Sequence, residues 1–275
     1  MKISKYISLI VFTLFFLSCE EVVNVDLETS KPRLVIDASI NWQKGTDGSF
    51  QKIILSTTTD FYGNLVPKVS DAIVSIKNSE NASWTFSEGQ NAGEYLCDDF
   101  TPIIGETYTL TIVYNGETFT ATETMQSVIA INPDDIRQKN DAGFSGKDYE
   151  IEVYFKDPIA ENFYMVKFMP EINKSPSFQV IGDMFTNGNQ KSWRFSDEDL
   201  KLGTNIVITH YGISEAYYNY MNKIISIASS SAGGSPFQTP PATVRGNIVN
   251  STDTANYALG YFSLSEVDVT NYVIQ

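Results

Sequence analysis

The sequence predicts an all-β protein built as two β-sandwich-like domains, the second interrupted by one amphipathic helix. Three observations carry this. Aromatic side chains make up 13% of the chain, and with the plentiful Thr they favour pleated, half-buried surfaces. Apolar and polar residues alternate over several short runs, the period of a strand with one buried face. Between Gln126 and Asp148 the alternation stops, and Asn-Pro-Asp-Asp and Gly-Phe-Ser-Gly-Lys-Asp follow in a polar stretch of turn-forming composition. A linker over 127–148 therefore divides a first domain, 33–126, from a second, 149–275.

The chain begins with Lys2 and Lys5, an apolar run from Ile7 to Leu17, the small Ser18, and Cys19. This is the pattern of a lipoprotein signal peptide over 1–18, cut before Cys19. A membrane-crossing helix needs about 20 apolar residues, which the run does not reach. Phe16 stands three residues before the cysteine, where such motifs usually carry Leu, and an ordinary cysteine near a plain secretory cleavage site is the alternative. Acylated at Cys19, the chain would be held firmly, because each buried methylene contributes about 0.8 kcal/mol and two or three chains act together. Residues 19–32 then form a tether. The thirteen residues from Glu20 to Pro32 reach about 40 Å at full extension.

In the first domain, Leu34, Ile36, Ala38 and Ile40 alternate with Val35, Asp37 and Ser39, which predicts the opening strand. The segment Tyr108 to Glu123 holds Asn115-Gly116 between two alternating runs, and Asn-Gly suits a tight turn whose two central residues take positive φ. Tyr114 opposite Glu117 sets Ile112 beside Phe119 and Leu110 beside Ala121. About seven strands between Arg33 and Met125 give an immunoglobulin- or fibronectin-type sandwich.

The second domain resumes at Tyr149, where Ile151, Val153 and Phe155 alternate with polar neighbours, and continues through Phe163–Met169, Thr204–Tyr211 and Gly260–Ile274. One helix is expected over about 215–229. Ser214 is its N-cap, and Ala216, Tyr217, Tyr220, Met221, Ile224 and Ala228 recur on one face. That stripe either packs on a sheet or offers a ligand platform. A shorter helical turn is expected from Ser196, with Asp199 completing an approximate capping box.

Charge narrows the function. The chain carries 19 basic and 33 acidic residues, a net charge of −14; without Lys2 and Lys5 it is 17 against 33, or −16. Nucleic-acid binding needs clustered Lys and Arg to displace counterions, so nucleic acid is excluded as a partner. No Gly-x-Ser-x-Gly or Gly-x-x-x-x-Gly-Lys-Ser/Thr string occurs, so the common hydrolase and nucleotide signatures fail. Ser49-Phe-Gln-Lys52 matches Ser-x-x-Lys but lacks the companion motifs. The single histidine, His210, cannot build a multi-histidine zinc site, and is expected as a partly buried imidazole closing its strand. Cys97, beside Asp98 and Asp99, is expected as a small core residue, since a reactive thiol wants an electropositive setting. The acidic clusters Asp98-Asp99, Asp134-Asp135 and Asp197-Glu198-Asp199 lack the alternating calcium-loop pattern. The expectation is a non-enzyme, with no catalytic residue, no metal and no cofactor.

Two further residues are candidates. In Ser235-Pro-Phe-Gln-Thr-Pro-Pro241 the prolines fix φ and withhold donors, so a stiff loop presents Phe237, either to the protein's own core or to a partner. Asp253-Thr254-Ala255 fits a short O-glycosylation motif, with Thr254 as acceptor.

Cys19-Glu-Glu, Pro32-Arg-Leu-Val-Ile, Gly105-Glu-Thr-Tyr-Thr-Leu, Ile213-Ser-Glu-Ala-Tyr-Tyr, the 235–241 loop, Gly246-Asn-Ile and Leu259-Gly-Tyr-Phe262 together resemble a Bacteroidota outer-membrane lipoprotein family, domain of unknown function 4249. The resemblance spans nearly the whole mature chain. It implies a lipid-anchored accessory or binding lipoprotein, held in the outer membrane through acyl chains and facing the cell exterior, that works with a TonB-dependent barrel in nutrient uptake. Glu20 and Glu21 resemble the export signal of such proteins. The alternative is a surface adhesion or structural envelope lipoprotein without a transport role.

Overall fold

The computed structural model describes residues 31–59, 65–143, 146–182, 188–231 and 243–275. Pro32–Gln275 form one compact unit, of strands with a single α-helix among the described residues, and within it two lobes are distinguished by separate apolar cores.

The first lobe contains β1 (Leu34–Gln43), β2 (Gln51–Thr57), β3 (Ile73–Asn78), β4 (Ser83–Glu88), β5 (Glu94–Cys97), β6 (Thr107–Tyr114) and β7 (Glu117–Thr124). They pair in the order β1-β2-β5-β4-β3-β6-β7, wrapping around a core that includes Ile36, Ile40, Ile53, Val74, Phe86, Tyr108 and Ile112. Seven strands and an immunoglobulin-like sandwich are what the alternation predicts. The β6–β7 register is also as read from the sequence, with Tyr114 opposite Glu117, Ile112 opposite Phe119 and Leu110 opposite Ala121. Asn115 and Gly116 take φ of 49° and 78°, the positive values this turn requires.

The second lobe contains β8 (Ile136–Ala142), β9 (Asp148–Lys156), β10 (Phe163–Pro170), β11 (Ser177–Gly182), β12 (Gln190–Asp197), β13 (Asn205–Ile213) and helix α1 (Glu215–Ser231). β12-β9-β8 form a separate three-stranded sheet. This packs against one face of β10 and β13 through Val153, Phe155, Trp193, Tyr164, Val166 and Ile208. Met165, Tyr211 and Ile213 point to the opposite face, where Tyr217, Tyr218 and Met221 of α1 cover them. The period of two in β10 thus feeds two cores at once.

The C-terminal segment joins the lobes. After β14 (Val249–Asn250), which pairs with β7, the 15-residue β15 (Leu259–Val273) runs parallel to β1 from Leu259 to Val267 and antiparallel to β13 from Val267 to Val273. Phe262 and Leu264 belong to the first core, while Tyr272 and Ile274 pack in the second. Gly260, at φ 95°, lies where a methyl group would collide with the Ile36 carbonyl, so only glycine lets β15 approach β1 there.

Two expectations are corrected. The linker expected over 127–148 carries a 3-10 turn, Pro133–Asp135, and β8, paired with β9, and it buries Val128, Ile131 and Ile136. Its polar run sits on an edge strand whose side chains are mostly exposed, which hides the alternation. Ser196 starts no helical turn: it lies in β12, paired with Glu150, and Asp197 Oδ1 accepts the Asp199 N–H at 3.0 Å in a local turn that competes with helix. The expected main helix is present, two residues longer than read.

Candidate functional site

The outward half of β1 supplies Asp37, Ser39 and Asn41, alternating with buried Ile36, Ala38 and Ile40. Ser39 pairs with Ser263 and Asn41 with Ser265 on β15, and directly paired residues share a face. The result is a polar lattice two strands wide. Ser39 Oγ donates to Asp37 Oδ1 at 2.8 Å, which orients the carboxylate. Where β2 leaves β1, the buried Gln51 side chain takes the place of a strand: its Oε1 accepts the Asn41 N–H at 3.1 Å and its Nε2 donates to the Asn41 carbonyl at 3.2 Å.

Helix α1 overhangs this lattice because its N-terminus is fixed. Ser214 Oγ accepts the Tyr217 N–H at 3.1 Å, the expected cap, and donates to Glu123 Oε2 at 2.9 Å. Tyr261 donates to the same oxygen at 3.3 Å. Burial pushes the Glu123 carboxyl above its ordinary range, against these hydrogen bonds and that from the Thr124 N–H. The Tyr261 ring packs against both Tyr217 and Tyr220, with centroids 4.7 and 4.8 Å away, and those two rings stack at 6.1 Å. Burial pushes the Tyr217 hydroxyl up to about 12, partly offset by its hydrogen bond with Ser263, so at neutral pH it is an uncharged donor and acceptor.

Between helix and sheet lies a cavity of about 290 Å³ lined by the β1 row, Lys167, Phe178, Tyr217 and Met221. A second depression of about 290 Å³ adjoins it, sharing Asp37, Ser39 and Asn41 and adding Phe50, Lys52 and Ile54. Together they make a trough across the sheet with the β1 row along its middle. The trough offers hydrogen-bonding groups and aromatic faces. Among the described residues no group of three His, Cys, Asp or Glu is placed to hold a metal ion.

The residues singled out from the sequence fall elsewhere. Cys19, Glu20, Glu21 and Phe237 lie outside the described residues. Thr254 is exposed in the turn before β15. Cys97 is buried, and burial pushes its thiol up to about 11. His210 was expected at the end of its strand and partly buried; it sits inside β13 and is fully buried. Its Nδ1 lies 2.9 Å from the Ile129 carbonyl, which can only accept, so Nδ1 carries the proton. Phe155, Tyr164 and Trp193 surround the ring, and desolvation lowers its pKa to about 4. In the sequence the trough residues read only as the polar half of a strand; the one signal for them is the tyrosine stripe of α1.

A family model described as Domain of unknown function (DUF4249) matches residues 20–271. No curated protein matches the chain. Among solved structures, it is similar to a two-domain fibronectin type III segment of chicken tenascin, at 13% identity, covering 68% of this chain and 89% of that one with a TM-score of 0.22. The FN1–FN3 domains of chicken CNTN1 match at 11% identity over 64% of this chain and 57% of that one, with a TM-score of 0.23. A DUF4785 family protein from Legionella pneumophila matches at 8% identity over 65% and 52%, with a TM-score of 0.24.

Proposed function

The chain belongs to the Domain of unknown function (DUF4249) family, and from that premise we propose that it is a lipid-anchored binding lipoprotein of the outer membrane, serving a TonB-dependent barrel in nutrient uptake. The observation that carries the reading is Cys19 at the end of a short apolar run behind Lys2 and Lys5, followed by the twelve residues 20–31 before the folded body. A chain so attached stays at the bilayer while the tether lets its body stand clear of the headgroups. Binding rather than catalysis fits the trough, which presents side chains for recognition. Glu20 and Glu21 would direct the protein to the outer face, and Thr254, an exposed turn residue, would be the O-glycosylation acceptor.

Radiolabelled palmitate should enter the wild-type protein and not the Cys19→Ser variant, which should leave the membrane fraction. Extraction in mild detergent should then co-purify a barrel protein. Absence of label sinks the anchor. Repeated extraction without a barrel, with cell attachment lost in a deletion strain and uptake unchanged, replaces the transport role with adhesion.

A further inference from the structure

We propose that the trough over β1 and β15 binds a neutral, polyhydroxylated chain, an oligosaccharide segment, through Asp37, Ser39, Asn41 and Tyr217; the proposal rests on the reading of this protein as a binding protein. Four features select that class. First, the backbone of the floor offers no run of free groups. β15 lies along one edge of β1; on the other, β2 pairs with Leu34–Asp37, Asn41 Nδ2 donates to the Ser39 carbonyl at 3.3 Å, and the Gln51 amide takes the Asn41 N–H and carbonyl. An extended peptide therefore finds no free strand to augment, and recognition falls to side chains alone.

Second, as a set those side chains donate and accept, the carboxylate accepting only. The hydroxyls of Ser39 and Tyr217, the amide of Asn41 and the carboxylate of Asp37 match an array of ligand hydroxyls, each itself a donor and an acceptor. Third, the charges oppose an ionic ligand. Asp37 stands in the middle of the floor with Lys167 on one side and Lys52 on the other, and the chain as a whole carries −14, which repels a polyanion. Fourth, apolar surface stands on both flanks, with Phe178 and Met221 beneath the helix and Phe50, 64% exposed, across the trough. The C–H faces of a pyranose ring pack on such aromatic surfaces. From Asp37 to Asn41 the strand advances about 13 Å, so the site spans several sugar units.

The test is calorimetric titration of the full acylated protein, held in a detergent without a sugar headgroup, against unbranched neutral hexamers of glucose, mannose, galactose and xylose. At least one should bind. Asp37→Ala and Asn41→Ala each alter an exposed residue and should weaken that binding about tenfold without moving the melting temperature. The proposal is overturned if no hexamer binds, if both variants bind as wild type, or if mixed-sequence peptides bind in their place. Sugar binding without a barrel partner keeps this inference and removes the transport role; a barrel partner without sugar binding does the reverse.

Discussion

The core of the β1–β7 lobe is aliphatic and aromatic, whereas the β8–β13 lobe buries His210, Asp157 and Lys191 beside its apolar side chains and covers Glu152 on the other face of β9 with Lys139, Tyr154 and Arg194. Polar groups buried in the first lobe are neutral and close local structure: Asn78 Oδ1 accepts the Ala82 N–H at 2.8 Å, and Gln51 completes the edge of β1. In the second lobe, Lys191 Nζ faces Asp157 Oδ2 at 3.4 Å with both side chains nearly inaccessible. Glu152 accepts from Lys139 Nζ at 2.7 Å, lies 3.0 Å from Arg194 Nε, and accepts from the Tyr154 hydroxyl at 2.7 Å. The difference teaches where pH and charge substitutions act. The first lobe responds to lost volume, and the second also responds to lost partners.

β15 threads both lobes, so the largest effect is expected where a substitution wrenches that strand. Gly260→Ala meets the Ile36 carbonyl at a positive φ and should cost about 4 kcal/mol or more. Denaturant unfolding followed separately through Trp84 in the first lobe and Trp193 in the second should show one transition moving for both. A shift confined to Trp84 would make the lobes independent and break the comparison as drawn.

Lys191→Met comes next, confined to the second lobe. Removing a cation that faces a buried carboxylate costs about 3 kcal/mol. The double variant Asp157→Leu/Lys191→Met should recover most of the loss, because a matched apolar pair removes both desolvation penalties. Denaturation midpoints of the two singles and the double give the coupling, and simple additivity would show that the ion pair does not matter.

His210 supplies the pH dependence. Its folded pKa of about 4 lies below the ordinary 6.5, so on acidification the unfolded chain takes the proton first. Stability is therefore held above about pH 6.5 and lost as pH falls toward 4, by roughly 3 kcal/mol in all. Glu152, whose carboxyl is lowered chiefly by the hydrogen bond from Lys139, adds a loss of the same sign at the acid end. His210→Phe keeps an aromatic ring in the cluster and forfeits the bond to Ile129, about 1 kcal/mol. At pH 7.5 it should be slightly weaker than wild type, and between pH 6.5 and 4.5 its stability should fall far less. Equal slopes for the two proteins would remove His210 as the acid-sensitive group.

These contrasts were unevenly legible in the sequence. Alternation in Leu34–Ile40 and around Asn115-Gly116 specified strands, faces and even register, because a period of two and a two-residue turn are local rules. β8 reads as linker because an edge strand with one buried position in its first four, Ile136, offers almost no period. The join made by β15 is a pairing of residues more than 200 positions apart, such as Asn41 with Ser265, which no local pattern encodes. The trough is hidden for the same reason. Asp37 and Ser39 read as solvent-facing until β15 and α1 bring Ser263 and Tyr217 beside them. His210 was placed on the correct face with Ile206 and Ile208, but its complete burial depends on Phe155 and Trp193 from another sheet.

The smallest effect concerns the thiol in the core of the first lobe. Cys97 is buried in β5 and donates to Asp99 Oδ1 at 3.1 Å, and burial lifts its pKa from 9.0 to about 11. In protein carrying Ser at position 19, maleimide labelling of the native state at pH 8 should run far more than about a hundredfold slower than in the unfolded chain: two pKa units alone remove that factor in thiolate, and the buried sulfur reacts through opened molecules. The same rate then reads the join between lobes. If opening is global, Lys191→Met should accelerate Cys97 labelling by the full factor that its stability loss implies, about 150-fold for 3 kcal/mol, although Lys191 belongs to the other core. No acceleration would mean that the first lobe opens alone, and that β15 holds the second lobe without transmitting its loss.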